Sequence, residues 1–256
     1  MLHVGALLDR APGRKYTAAL RFAELSLRAP LPRPGTLASM RAALGEDFVF
    51  ALRAPRSAVS STRGALRSDP ELDASVQWLN AAADALQARA VIIHTPSDLT
   101  PGARSRDLLR EYFAQLPRVA GRHYVWSAQG AWEPEEAQAV CNDLGLCRAF
   151  DPLETKSTPG AVAYATLRAL GHRAGFSYAA LADALTRTLA HQPEEAFISV
   201  DAERGFDVAR RLATLVTQAR AEAAELGGDD ELEDDDEDED EADAEGDEDA
   251  PEDKEP

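Results

Sequence analysis

Short β-like segments alternate with helical segments along residues 1–226, and few folds accommodate that order. Several of these segments are continuous apolar runs, such as Val91-Ile92-Ile93, which is typical of parallel strands covered by helices on both faces. The eight segments span residues 2–7, 23–28, 47–53, 90–94, 123–127, 146–150, 161–167 and 196–200. This order predicts an α/β fold, a single-domain (β/α)₈ TIM-barrel-like structure, with a doubly wound open sheet as the competing architecture.

The helices are clearest in the second half of the chain. Pro70 begins one helix and Pro134 begins another, which Gly145 ends as a C-terminal capping residue. Apolar residues at spacings of three and four mark helices across residues 72–86, 108–116, 134–144, 181–189 and 208–219, with shorter connections near 16–22 and 37–44. Residues 54–69 have no apolar period. A barrel commonly places such a loop beside its site, and a mobile connector is the other interpretation.

The charge is concentrated at one end of the chain. Of the 45 acids and 27 bases, 20 acids and one base lie in residues 229–256, and the whole chain has a formal charge of −18. This segment has no apolar periodicity, so it cannot bury enough surface to offset chain entropy. We therefore predict a barrel over residues 1–226 and a disordered acidic C-terminal tail over residues 227–256, with Gly227-Gly228 ending the last helix.

Composition also argues against several functional classes. No apolar run approaches the roughly 18 residues of a membrane span, and the first residues lack an export pattern, so we expect a cytoplasmic protein without membrane contact. The five histidines show no metal-ligand spacing and no glycine-rich phosphate loop is present, so neither a metal nor a cofactor is predicted. The body is nearly neutral and its arginines are scattered, so nucleic-acid binding is not expected. Cys141 and Cys147 are predicted to be buried free thiols.

Collinear motifs resemble those of the DUF72 (YecE-like) family. Residues 24–30 (ELSLRAP) and 48–57 (FVFALRAPRS) are similar to the family's "vEiN" strand and its "FxFaxKaPrxiTH" segment. Residues 91–96 (VIIHTP), 124–132, 150–152 (FDP) and 197–205 (FISVDAERG) match later family segments in order. The resemblance covers roughly residues 2–220. It implies a TIM-barrel-like fold and leaves the activity open.

This chain departs from the family pattern at most of its polar positions. Glu24 is retained and Arg53 keeps the charge of the family lysine. Ser26 replaces an asparagine, His94 replaces a glutamine, and Asp201 with its neighbour replaces two asparagines. The "TH" pair is absent near residues 59–60, the "EfR" pair has no counterpart, and residues 168–171 fit the family's "RlhG" without its histidine. The resemblance therefore implies a divergent member that has lost much of the family's polar set.

Strand ends define the candidate site, because side chains at the C-terminal ends of barrel strands converge on one mouth. The residues that we place near this rim are Glu24, Arg28, Arg53, His94, Trp126, Asp151, Arg168 and Asp201. Arginines with a histidine predict a small anionic ligand, because guanidinium groups bind carboxylate or phosphate in a fixed fork. The candidate ligand-binding residues are Arg28, Arg53, Asp151 and Arg168. The alternative is that the arginines only pair with nearby carboxylates to neutralise the mouth.

The candidate catalytic residues are His94, Glu24 and Asp201. His94 would carry a proton, and Asp151 or Asp201 would orient its imidazole. Glu24 and Asp201 would orient the ligand or exchange protons with it. The alternative is that His94 only caps the end of its strand. Because several polar positions of the family are lost together, we expect weak or absent catalysis. A second functional hypothesis is a non-catalytic scaffold whose acidic tail recruits a basic protein partner. A shared void for Arg53, Arg168 and His94 would favour ligand binding, and a mouth filled by Trp126 or the 54–69 loop would favour the scaffold.

Overall fold

Eight parallel strands form a closed barrel in the computed structural model, which describes residues 1–169 and 175–226. The strands are β1 (Leu2–Leu8), β2 (Phe22–Leu25), β3 (Val49–Arg53), β4 (Ala90–His94), β5 (His123–Ser127), β6 (Cys147–Phe150), β7 (Val162–Arg168) and β8 (Glu195–Asp201). Each strand pairs with its neighbours in chain order and β1 pairs with β8, so the sheet has no edge. The predicted barrel is confirmed, and the open sheet is excluded.

Seven helices in the described part of the chain surround the barrel. They are α1 (Arg14–Ala19), α2 (Pro34–Leu44), α3 (Pro70–Ala85), α4 (Ala103–Ala114), α5 (Pro134–Leu144), α6 (Tyr178–Thr188) and α7 (Gly205–Leu226). Asp69 caps α3 by accepting hydrogen bonds from the amides of Glu71 and Leu72, and Gly145 ends α5 with a left-handed φ of 63°. The predicted alternation fails once, because the connection between β6 and β7 contains turns and no helix.

Residues 54–69 form a packed wall beside the barrel mouth. A 3₁₀ turn (Arg56–Ala58) is followed by a small hairpin of Ser60–Ser61 with Gly64–Ala65. This segment is anchored in the larger of the two hydrophobic cores, the outer core, by the buried side chains of Ala58, Val59, Ala65 and Leu66. The burial of these side chains anchors the segment. It supports the interpretation of a loop that lies beside the site over that of a mobile connector.

The barrel interior is filled in its middle by an apolar layer. Its members are Phe22, Ala51, Ala90, Ile92, Val125, Tyr164 and Phe197. The ring centroid of Phe197 lies 5.5 Å from that of Tyr164 and 5.5 Å from that of Phe22. This layer closes the barrel, in keeping with the packed interior of such folds. A second and larger core, the outer core, lies outside this layer and includes buried residues of both the strands and the helices.

Polar side chains occupy the strands on both sides of the apolar layer. At the N-terminal end, the Glu195 carboxylate lies 3.0 Å from His3 Nε2, 2.8 Å from His123 Nε2 and 2.9 Å from Arg89 Nε. The C-terminal end carries the residues of the predicted site. Trp126 does not lie there: it is fully buried in the outer core, where its ring packs against Trp132 at a centroid distance of 5.1 Å. Side chains alternate between the two faces of β5, and Trp126 lies on the outer face of the barrel.

The described chain divides into two units. Residues Met1–Thr217 form a compact unit that contains the whole barrel, and a second unit starts at Gln218 and is described as far as Leu226. The predicted helix end at Gly227-Gly228 and the predicted acidic tail lie outside the described residues. Within the described residues, no helix combines the length and the apolar character that a membrane crossing requires.

Candidate functional site

Glu24 is the buried centre of the C-terminal end of the barrel. Its carboxylate is fully buried, Oε1 lies 2.6 Å from Arg53 Nε, and Oε2 accepts a hydrogen bond of 2.9 Å from the Tyr164 hydroxyl. Burial alone would raise the pKa of Glu24, but the positive charge of Arg53 and the hydrogen bonds that the carboxylate accepts outweigh it, and the pKa is lowered. Glu24 is therefore ionised at neutral pH.

Arg53 connects two carboxylates at this end. In the β2–β3 register Glu24 is level with Ala51, so Arg53 lies one inward-facing position nearer the mouth. Its Nη1 lies 3.5 Å from Asp201 Oδ2, in addition to the contact with Glu24, and its side chain is 16% exposed. Burial works to lower the pKa of Arg53, but the two carboxylates raise it above its ordinary value. The remaining nitrogen, Nη2, is buried and has no hydrogen-bond partner among the described residues.

His94 ends β4 and is held in its neutral form. Burial is the largest cause that lowers its pKa, the charges of Arg53 and Arg168 add to it, and the pKa falls to about 4 although Glu24 acts in the opposite direction. His94 Nε2 is buried, and within the described part of the chain nothing is hydrogen-bonded to it. A neutral imidazole can donate or accept one hydrogen bond at this atom. At pH 7 it does not hold the extra proton that a general acid would need.

Arg53 and His94 line the same cavity of about 720 Å³. The 54–69 segment forms part of the wall through Pro55, Ser57 and Val59. The mouth is therefore open and is not filled by that loop. This volume lies within the range of about 300–1,000 Å³ that is common for small-molecule sites.

The other predicted residues lie around this cavity in different positions. Arg28 lines it, but β2 ends at Leu25, so Arg28 lies on the following loop, exposed and 3.9 Å from Asp9. Arg168 and Asp151 line a separate pocket of about 170 Å³, where Asp151 Oδ1 accepts a hydrogen bond from the amide of Leu153. The structure thus brings Glu24, Arg53, His94 and Asp201 together, places Arg28 at the edge, and leaves Arg168 and Asp151 in the neighbouring pocket.

Two inward-facing residues of the site were not found from the sequence. Tyr164 donates a hydrogen bond to Glu24, and the buried hydroxyl of Ser199 also lowers the pKa of the Glu24 carboxyl. Both lie within strands and not at strand ends. The period of two along β7 and β8 was the available signal, because Tyr164 shares the face of Arg168 and Ser199 shares the face of Asp201.

Metal and thiol chemistry find little support in this geometry. The described residues include no group of three or more histidine, cysteine, aspartate or glutamate side chains that could hold a metal ion. Cys141 and Cys147 are free, and burial raises the pKa of each thiol to about 12. At neutral pH both are therefore protonated and poorly nucleophilic.

Comparison with known proteins gives structural relatives only. No family model matches the chain, and no curated protein matches it. The fold is similar to that of a DUF72 family protein from Enterococcus faecalis V583, at 12% identity, with 86% of this chain and 98% of that chain covered and a TM-score of 0.61. A DUF72 family protein from Thermotoga maritima MSB8 is similar at 14% identity, with 86% and 99% covered and a TM-score of 0.61.

A third solved structure, SacUVDE, is similar at 10% identity, with 80% of this chain and 83% of that chain covered and a TM-score of 0.54. At these identities the likenesses show the fold. They agree with the architecture that the sequence motifs implied.

Proposed function

We propose that this chain is a divergent DUF72-type barrel that binds a small organic anion at the C-terminal mouth, with weak or absent catalysis. One observation carries the proposal: Arg53 Nη2 and His94 Nε2 are both buried without a partner among the described residues, and both residues line the same cavity. Buried polar atoms are nearly always hydrogen-bonded, and leaving one unpaired costs about 1–3 kcal/mol. A bound ligand oxygen would supply the missing partner.

The charges around the cavity favour an anion over a cation. Arg28, Arg53 and Arg56 line it, and none of the described residues that line it is acidic. Glu24 and Asp201 lie beside it, but both carboxylates are engaged with Arg53. A guanidinium nitrogen and a neutral imidazole are suited to carboxylate or phosphate oxygens, because each can donate a hydrogen bond to them.

The same geometry argues against rapid proton transfer. His94 is neutral at pH 7 because its pKa is lowered to about 4, so it has no proton to give as an acid and is a weak base. Glu24 is held by Arg53 and Tyr164 and has no exposed surface. His94 is therefore better suited to holding a ligand than to exchanging protons with one, and Glu24 is suited to holding Arg53 in place.

The proposal is tested by titrating the full chain with carboxylates and inorganic phosphate in a calorimeter. Arg53→Lys keeps the positive charge beside Glu24 but removes the Nη2 donor, and His94→Leu removes the imidazole. We expect each variant to lose at least about tenfold in affinity, as for a charge-assisted hydrogen bond worth about 1.5–3 kcal/mol. Arg187→Lys is the matched control, because Arg187 pairs with Asp183 on α6 away from the cavity. Equal affinities for wild type and both site variants, or no anion binding at all, would contradict the proposal.

The scaffold hypothesis remains an alternative prediction. Its recruiting element is the acidic tail, which lies outside the described residues. Arg53 and His94 share an open cavity and Trp126 lies in the outer core, which supports ligand binding, although Arg168 lines the neighbouring pocket and is not part of the shared void. The cytoplasmic location expected from the sequence likewise stays a prediction.

A further inference from the structure

We infer that the ligand is a singly charged carboxylate attached to an apolar body, an inference that rests on the proposed function and narrows it to one chemical class. The juxtaposition behind it is a pair of unpartnered polar atoms next to an apolar wall. Besides Arg53 and His94, the cavity is lined by Leu27, Leu31, Pro55, Val59 and Pro96.

The charge balance limits the ligand to about one negative charge. Arg53 already faces Glu24 at 2.6 Å and Asp201 at 3.5 Å, so its positive charge is compensated before any ligand arrives. Arg28 lies 3.9 Å from Asp9, which leaves Arg56 as the lining arginine without an ion-pair partner among the described residues. A multiply charged phosphate would meet too little unpaired positive charge. A carboxylate has two oxygens that can each accept a hydrogen bond, and two donors lack a partner here, Arg53 Nη2 and His94 Nε2.

The size and the lining of the cavity call for an apolar body. A carboxylate group alone would fill a small part of about 720 Å³ and would leave the apolar wall in contact with water. Leu31 is half-buried, precedes Pro32, and is not among the residues packed on the outer core. An apolar ligand body in the cavity can therefore bury the exposed part of this side chain. Each methylene that leaves water for such a surface raises affinity by about fourfold.

The experiment is a titration of the full chain with acetate, butanoate and hexanoate, followed by calorimetry or by ligand-observed NMR. We expect affinity to rise along the series by about fourfold per methylene until the cavity is filled. Hexanamide keeps the body and removes the charge, so it should bind at least tenfold more weakly than hexanoate. Inorganic phosphate should bind more weakly than hexanoate.

A pair of variants separates the wall from the anion-binding atoms. Leu31→Asn should reduce hexanoate affinity by about fivefold and leave acetate affinity unchanged, because only the apolar body contacts this wall. Val119→Asn is the matched control: Val119 is 41% exposed and lies outside the residues that line the cavity, so both affinities should stay at the wild-type values.

The outcomes separate this inference from the function on which it rests. If acetate or inorganic phosphate binds as tightly as hexanoate, or if Leu31→Asn changes neither affinity, the apolar body is wrong and anion binding at the mouth survives. If hexanamide binds as tightly as hexanoate, the charge requirement fails. If none of the anions binds, the proposed function fails and the inference falls with it.

Discussion

Replacing Arg53 by alanine is expected to destabilise the fold, because the change leaves a buried carboxylate without its counter-charge. Arg53 Nε lies 2.6 Å from Oε1 of the fully buried Glu24, and Arg53 itself is 16% exposed. Removing one partner of a buried pair costs about 3–5 kcal/mol, whereas an exposed pair is worth less than about 1 kcal/mol. Tyr164 continues to donate to Oε2, so we expect a loss near the lower limit, about 3 kcal/mol.

Urea denaturation of four proteins measures this coupling: wild type, Arg53→Ala, Glu24→Gln and the double variant. Glu24→Gln removes the buried charge and keeps an oxygen that can accept from Tyr164. We therefore expect the double variant to recover much of the stability that Arg53→Ala loses, giving a coupling free energy of at least about 1 kcal/mol.

The pH dependence supplies a second check with a definite sign. Without Arg53, burial is the dominant influence on Glu24, and the pKa of its carboxyl rises above the unfolded value. A group with a raised folded-state pKa contributes stability at low pH that is lost as the pH rises through that pKa. The difference in stability between Arg53→Ala and wild type should therefore narrow as the pH falls from 8 to 5. A loss below about 1 kcal/mol at pH 7, or a difference that does not change with pH, would refute the buried-pair argument.

Three further predictions concern His94, the tail and turnover. Burial and the Arg53 charge lower the pKa of His94 to about 4, so the unfolded chain takes up this proton at a higher pH than the folded chain. The free energy of unfolding should therefore fall from about pH 7 towards pH 4. His94→Gln should flatten that slope when stability is measured by urea denaturation at each pH. A chain ending at Gly228 should melt within a few degrees of the full chain, because the buried core residues of the described chain end at Leu215; a large drop in melting temperature would contradict this. Wild type should show no turnover of phosphoesters, glycosides or sugar isomerisation substrates above background, and clear turnover that His94→Ala abolishes would overturn the assignment of a binding site.

The barrel was predictable because its strands have a strong and local signal. Each of the eight apolar segments overlaps one strand, since burial on both faces demands an almost continuous apolar run. The segment over residues 54–69 gave no such signal, because a single 3₁₀ turn and a hairpin with two-residue strands are too short to show a period. Arg28 was assigned to a strand end because the segment after Leu25 continues the alternation, although the strand stops there.

The site was predictable only as far as chain position determines it. Glu24, Arg53, His94 and Asp201 follow from the rule that strand ends converge in a barrel. The contact of Tyr164 with Glu24 depends on two strands that lie 140 positions apart in the chain, so no local pattern reveals it. The low pKa of His94 arises from burial and from Arg53 and Arg168, which are neighbours in space and not in sequence.

The apolar layer of Phe22, Tyr164 and Phe197 determines how a molecule can enter and leave the mouth. These rings close the barrel beneath the cavity, so the site has no route through the barrel axis to the Glu195 cluster at the opposite end. Exchange with solvent then takes place through the open mouth, where residues of the 54–69 wall form part of the border. We expect changes in that wall to alter how fast a ligand arrives and departs, while Arg53 Nη2 and His94 Nε2, which lie outside this segment, remain the same.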